Sequence, residues 1–239
     1  GLEQTTLDVI AHKGQGGTLK LGVVPTFATR WLLPKLPSFN QLYPEITIHL
    51  ETSTRPFLFN DHILDAAIYA GTPQQVEQWP GTYSHFLMYE DVVAVCAPRL
   101  IKHYFPDATM ININSFDLSA QQLIELPLLQ QTTRPHIWEE WFSLYPIKHP
   151  NPNHGQRHEL FSMLAVAANH GMGMALIPQM LIEKELQKGE LVMVSTKKLE
   201  KKRAYYLMHS SQENSPLIEK FVEWIQKELS SEYALHDPR

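Results

Sequence analysis

The sequence predicts an α/β protein, and three observations carry that prediction. Residues 18–50 read as strand, helix, strand, and strand-like and helix-like segments keep alternating to the end of the chain. The apolar fraction, 44 % of 239 residues, is enough for a sizeable core. Alternation of this kind belongs to sheets flanked by helices. Length by itself allows one large domain or two smaller lobes.

The opening unit sets the pattern. Residues 19–24 form a β-branched apolar run of strand length, which Pro25 stops. Leu32, Leu36, Phe39 and Tyr43 then recur on one helix face, Pro44 ends the helix, and Ile46, Ile48 and Leu50 alternate as a second strand. A βαβ unit crosses over right-handed into a parallel sheet. Pro34 and Pro37 lack an N–H, so the helix is expected to start, bend near Leu33 and restart. Ligands of open α/β sheets collect beyond the carboxyl ends of the strands, at helix N-termini. Thr26 stands at such a corner, either as a plain helix cap or as a ligand contact.

Further along, residues 2–13 read as the last turns of a helix released by Gly14, Gly16 and Gly17. A short helical piece is expected at 56–61, a buried strand at 65–71, loop at 72–80, and strands at 83–89 and 91–97. Pro98 opens a short helix, and another starts near residues 117–121. Residues 127–130 form a short strand, and 136–144 an aromatic amphipathic helix with Trp138, Trp141 and Phe142. Residues 160–170 are almost wholly apolar, predicting a helix buried on several sides and closed by Gly171. Strand 172–177, a helix from Pro178 to Lys188, strands near 191–194 and 204–208, and a final helix opened by Ser215-Pro216 complete the chain.

Composition excludes several functions. A net charge of −5 opposes direct nucleic-acid binding, and the cluster Lys197, Lys198, Lys201, Lys202, Arg203 is interrupted by Glu200. One cysteine, Cys96, forbids an internal disulfide. Nothing reaches the length of a membrane span, and residues 1–17 lack a secretory signal pattern, so a cytoplasmic protein is expected. Gly171-Met172-Gly173 follows a helix and is no dinucleotide fingerprint; Walker and Gly-x-Ser-x-Gly motifs are missing. His149, His154 and His158 lack metal-ligand spacing, so neither a metal nor a cofactor is expected. No poised nucleophile or acid–base pair stands out, and binding is favoured over catalysis. Two polar groups are candidates for it. One comprises Thr26, Ser53, Thr54 and Tyr69; the other comprises Gln131, Thr132 and Thr133 with Glu159, Phe161 and Ser162.

The residues also carry a family resemblance. VVPTFATRWLLPKLPSFNQLYPEITIHLETS resembles the start of the effector-binding domain of LysR-type transcriptional regulators. The branch it looks like is the one containing the glycine-cleavage activator and the β-lactamase regulator. ILDAAIYAGTP, WPGTYSHFLMYEDVVAVCAPRL, FSMLAVAANHGMGMALIPQMLIEKELQKGELV and AYYLMHSSQENSPLIEKFVEWIQKEL agree in order and spacing.

This resemblance implies a fold like the type II periplasmic binding proteins, two α/β lobes joined by two crossover strands with a ligand cleft between them. Lobe I would hold 18–89 and 197–229, and lobe II 90–196. Residues 1–17 would end a linker helix, 230–239 would form a tail, and the N-terminal winged helix-turn-helix would be absent. A small polar or anionic effector would contact Thr26, Phe27, Ser53, Thr54, Tyr69, Thr132, Thr133, Glu159 and Phe161. The chain would act as an effector-sensing and oligomerisation domain without catalysis, reaching DNA only through the missing domain. Homodimers or homotetramers would form through the helix from Thr29 and the region near Pro178. An extracytoplasmic solute-binding protein on the same fold is the alternative, and a small enzyme a further one.

Overall fold

A computed structural model describes residues 16–54, 64–211 and 215–236. The expected linker helix at 2–13 and helical piece at 56–61 lie outside the described residues. The chain divides into two units, one from 1–89 with 203–239 and one from Glu90–Lys202, so it passes between them twice.

Strand β1, Gly17–Val23, leads into helix α1. Pro25–Phe27 begin α1, a π-helical turn at Ala28–Leu32 follows, and α-helix resumes over Leu33–Leu42. The Leu33 N–H bonds the Ala28 carbonyl, five residues back. The expected break is therefore a wide turn just ahead of Pro34, the first of two positions where no N–H exists to continue the ladder. Leu32, Leu36 and Phe39 are buried, as their spacing requires. Strand β2, Ile46–Thr52, pairs parallel with β1, completing the βαβ unit. After it come β3, Ala66–Gly71, and α2, Pro73–Glu77. The latter replaces the loop expected at 72–80. Thr72 and Gln75 form a reciprocal capping box around Pro73, where a missing N–H costs nothing. Strand β4 spans Thr82–Tyr89.

In the second unit, β5, Val92–Cys96, is followed by α3, Pro98–Tyr104. Cys96 is wholly buried in β5, and that burial pushes its thiol up to about 12. Helix α4, Ala120–Leu123, has its own capping box between Ser119 and Gln122. The strand expected at 127–130 is displaced: β6 is Gln130–Gln131, while Leu128 bridges Met174. Next come α5, Ile137–Phe142, β7, Arg157–His158, and α6, Phe161–Asn169. Leu164, Ala165, Ala167 and Ala168 of α6 are buried, but Met163 and Val166 are 45 % and 54 % exposed. Expected burial on several sides is thus corrected to burial on one. Gly171 closes α6 with φ +76, and β8 is Ala175–Pro178. Pro178 ends that strand, contrary to the expectation that it opens a helix; a 3-10 turn, Gln179–Leu181, precedes α7, Glu183–Lys188.

Strand β9, Val192–Leu199, pairs with β5 as far as Leu199. Residues 197–202 therefore group with the second unit, a correction to the boundary expected at 197. Lys198 meets Glu200, and Lys201 takes φ 56, so the basic cluster is a turn before the chain returns to the first unit. Strand β10, Ala204–Ser210, and helix α8, Pro216–His236, follow. The tail expected at 230–239 is helical to His236, because α8 is tied along α1. Trp31 Nε1 donates to Glu232 Oε2 at 2.7 Å, and Trp224 Nε1 to Ser38 Oγ at 2.8 Å. Phe39 also packs edge-on against Phe221 and Trp224.

Unit one is built on a five-stranded sheet, β2-β1-β3-β10-β4, parallel over its first three strands and antiparallel over the rest. Unit two carries an antiparallel sheet, β8-β5-β9, and the small parallel pair β6-β7. Its core is aromatic: Trp138, Trp141 and Phe142 pack on the β5 face with Phe116, Leu123 and Met174.

Candidate functional site

In unit one the strand register gathers the expected residues at one end of the sheet. Val23 pairs with Thr52 on one side and Ile68 on the other, so β1 and β2 end level there while β3 runs on to Gly71. Ser53-Thr54 follow Thr52 directly, the Pro25-Thr26 start of α1 follows Val23 after Val24, and Tyr69, still within β3, follows Ile68. Val24, extended and without a side-chain cap bond, is the N-cap of α1. Thr26 occupies the second helical position, so the plain-cap reading of Thr26 is set aside. Backbone N–H groups and the positive dipole end of α1 face this corner, where anionic and polar acceptor groups are favoured.

Side chains there differ in availability. Thr26 is 5 % exposed, while Ser53, Thr54 and Tyr69 are half-buried. Phe27 is 1 % exposed, and its ring lies 5.1 Å from Trp31 and 4.7 Å from Tyr205. The expectation that Phe27 offers a ring to a ligand is corrected: the aromatic core holds the ring, and only its backbone belongs to the corner. Tyr69 packs against Trp79 at 5.4 Å, beside Gly71, where an added Cβ would lie 3.3 Å from the Tyr69 ring.

In unit two the parallel pairing Gln131↔His158 places 132–133 and 159–161 beyond two adjacent strand ends. Thr132 donates its N–H and its hydroxyl to the His158 carbonyl, at 2.9 and 3.2 Å. Gln131 Nε2 donates to the Glu159 carbonyl at 3.0 Å, and Gln131 Oε1 accepts from the Thr133 N–H and hydroxyl, both at 2.5 Å. With their hydrogens directed into the loop, both threonine oxygens keep lone pairs for an outside donor. This corner therefore suits N–H or ammonium groups. Glu159 is exposed and joins through its backbone.

Two residues that sequence reasoning missed support this loop. Arg134 meets Glu90 in a bidentate pair at 2.6 and 2.9 Å, with side-chain exposures of 11 % and 1 %. The same guanidinium lies 5.1 Å from the Phe161 ring centroid, so that ring is covered by a cation. A pairing across forty-four positions leaves no local signal in the sequence. Among the described residues no group of three or more His, Cys, Asp or Glu side chains is placed to hold a metal ion.

Two α/β units whose polar corners lie beyond strand carboxyl ends, connected by two passages of the chain, define the type II periplasmic-binding-like class. The chain belongs to the LysR substrate binding domain family, which matches residues 12–230. It is 30 % identical over 217 residues to the glycine cleavage system transcriptional activator of Escherichia coli K12, covering 90 % of this chain and 66 % of that one. To the HTH-type transcriptional activator AmpR of Citrobacter koseri it is 26 % identical, covering 92 % and 72 %. The fold matches the effector domain of the transcriptional regulator AmpR of Pseudomonas aeruginosa, with TM-score 0.77, 21 % identity, and coverage of 92 % and 100 %. It also matches CrgA of Neisseria meningitidis, with TM-score 0.74, 18 % identity, and coverage of 95 % and 73 %. The chain thus spans about two thirds of the glycine-cleavage activator's length. These relatives are transcriptional regulators and not enzymes, and the solute-binding alternative is not favoured. No helix among the described residues is long and apolar enough to cross a membrane.

Proposed function

We propose that this chain is the effector-sensing part of a LysR-type transcriptional regulator that works in the cytoplasm. It binds a small polar or anionic molecule through Thr26, the Phe27 backbone, Ser53, Thr54 and Tyr69 in unit one and Thr132, Thr133, Glu159 and Phe161 in unit two. The register of β1, β2 and β3 carries this reading, since it collects the four hydroxyls of Thr26, Ser53, Thr54 and Tyr69 and a helix N-terminus at one corner. A ligand preferring one of two states shifts their populations and so alters a DNA-binding partner domain. No step in this reading requires catalysis.

A thermal-shift screen of amino acids, cell-wall fragments and aromatic acids tests it, because a ligand of the native state raises stability by mass action. At least one class is expected to raise the melting temperature in a saturable way and to be recovered unchanged. Turnover of the bound molecule would replace the sensor reading with an enzymatic one.

Self-association is part of the same proposal. Leu33 and Leu42, 46 % and 64 % exposed, are apolar groups on different sides of α1 that a second copy would cover. Light scattering after size exclusion is expected to give the mass of a dimer. A monomer at high concentration would remove the packing claim and leave effector binding standing.

A further inference from the structure

Unit one holds a pair of histidines that effector binding does not use. His85 on β4 and His209 on β10 share one face of the antiparallel ladder, where Tyr83 pairs with His209 and His85 with Leu207. Their Nε2 atoms are 3.0 Å apart and their ring centroids 5.1 Å apart. His209 is only 9 % exposed, and its Nδ1 lies 3.0 Å from the Ser210 carbonyl oxygen. A carbonyl only accepts, so Nδ1 carries the proton and Nε2 presents a lone pair. Fixing the remote ring nitrogen on a carbonyl is how proteins orient a metal-bound imidazole.

The pair opens into a groove of about 560 Å³ lined also by Ser211, Ser215, Ile218 and Glu219. His209 pairs with Ala66, whereas Tyr206 pairs with Tyr69. His209 thus lies level with the amino end of β3, and His85, level with Ile68, stands two strands across the sheet from β3 on the edge strand β4.

We propose that His85 and His209 chelate one divalent first-row transition ion, Zn²⁺, Ni²⁺ or Cu²⁺, with water in the groove completing its coordination. Two imidazoles bound at about 2.0–2.1 Å to one tetrahedral ion hold their nitrogens about 3.3 Å apart. A small opening of the observed 3.0 Å separation creates that geometry. Without an ion, His85 Nε2–H donates to His209 Nε2; with one, the His85 proton moves to its own Nδ1 and both Nε2 lone pairs face the metal. Imidazole ligands favour these borderline ions over Mg²⁺ or Ca²⁺. Bound metal would staple the edge strand β4 to β10. Two protein ligands bind more weakly than the closed four-ligand set of a structural zinc site.

Tag-free protein titrated with Cu²⁺ and followed by electron paramagnetic resonance tests the assignment without any substitution. One equivalent of copper with hyperfine structure from two nitrogens is the expected result. Zn²⁺ should compete for that signal and raise the melting temperature. His85→Gln and His209→Gln each leave a single imidazole on the ion and are each expected to remove the two-nitrogen copper signal. A triple His149→Gln, His154→Gln, His158→Gln variant should bind as the wild type does. A one-nitrogen spectrum, a two-nitrogen signal that survives His85→Gln, or binding lost in the triple variant would overturn the proposal. The pair would then be a simple imidazole–imidazole hydrogen bond.

Discussion

Trp138→Ala is expected to lower the unfolding free energy of the Glu90–Lys202 unit by about 3–5 kcal/mol. Trp138 is fully buried, edge-on to Trp141 at 5.6 Å and tilted against Phe142 at 5.8 Å. Truncation leaves a cavity among large, stiff neighbours that can close only part of it. It also removes the indole N–H that donates to the Leu129 carbonyl at 2.8 Å, a loss of about 1 kcal/mol more. Leu129 immediately precedes β6, so the damage reaches the loop of Thr132 and Thr133. Denaturant unfolding checks this: the midpoint should fall with little change in slope. Tyr83→Ala, at a position 58 % exposed whose ring packs 5.8 Å from His209 across the ladder, should cost no more than about 1 kcal/mol.

Arg134→Ala is expected to cost about 3–5 kcal/mol, for an electrostatic reason. It strands the Glu90 carboxylate, whose side chain is 1 % exposed, without the guanidinium that holds both its oxygens. It also uncovers the Phe161 ring and loosens the turn in which the Arg134 N–H bonds the Gln131 carbonyl. Replacing both partners, Glu90→Met with Arg134→Met, should recover most of the loss, because no buried charge is then left alone. A double-mutant cycle by denaturant unfolding separates these terms. A single-variant loss below about 1 kcal/mol would mean that water reaches the pair as it reaches surface bridges.

Elements legible in the sequence are those whose signal is local. Leu32, Leu36 and Phe39 mark the buried face of α1 by spacing alone, and Ile46, Ile48 and Leu50 mark β2 by alternation. The corner at Thr26, Ser53 and Thr54 was legible too, since βαβ geometry puts polar residues after strands at one end. Helix α2 had a signature, Thr72-Pro73-Gln74-Gln75, that punctuation by proline obscured. Features that depend on register or on distant partners were not legible. The side Phe27 turns depends on Tyr205 arriving from the far end of the chain. The Arg134–Glu90 pair and the His85–His209 pair join segments 44 and 124 residues apart. Met163 and Val166 read as core because composition reports how apolar a helix is and says nothing of which neighbours cover it.

Calorimetric titration of the wild type and Thr26→Val with the stabilising molecule from the screen tests the central claim most directly. Valine keeps the shape of threonine and removes its hydroxyl. The account predicts saturable one-to-one binding by the wild type. In the variant, affinity should fall about tenfold to a hundredfold, the value of a hydrogen bond to a charged or strongly polar group. The variant's own stability should change by no more than about 1.5 kcal/mol. Equal affinity in the two proteins would contradict the account, placing the effector away from the corner beyond the ends of β1 and β2.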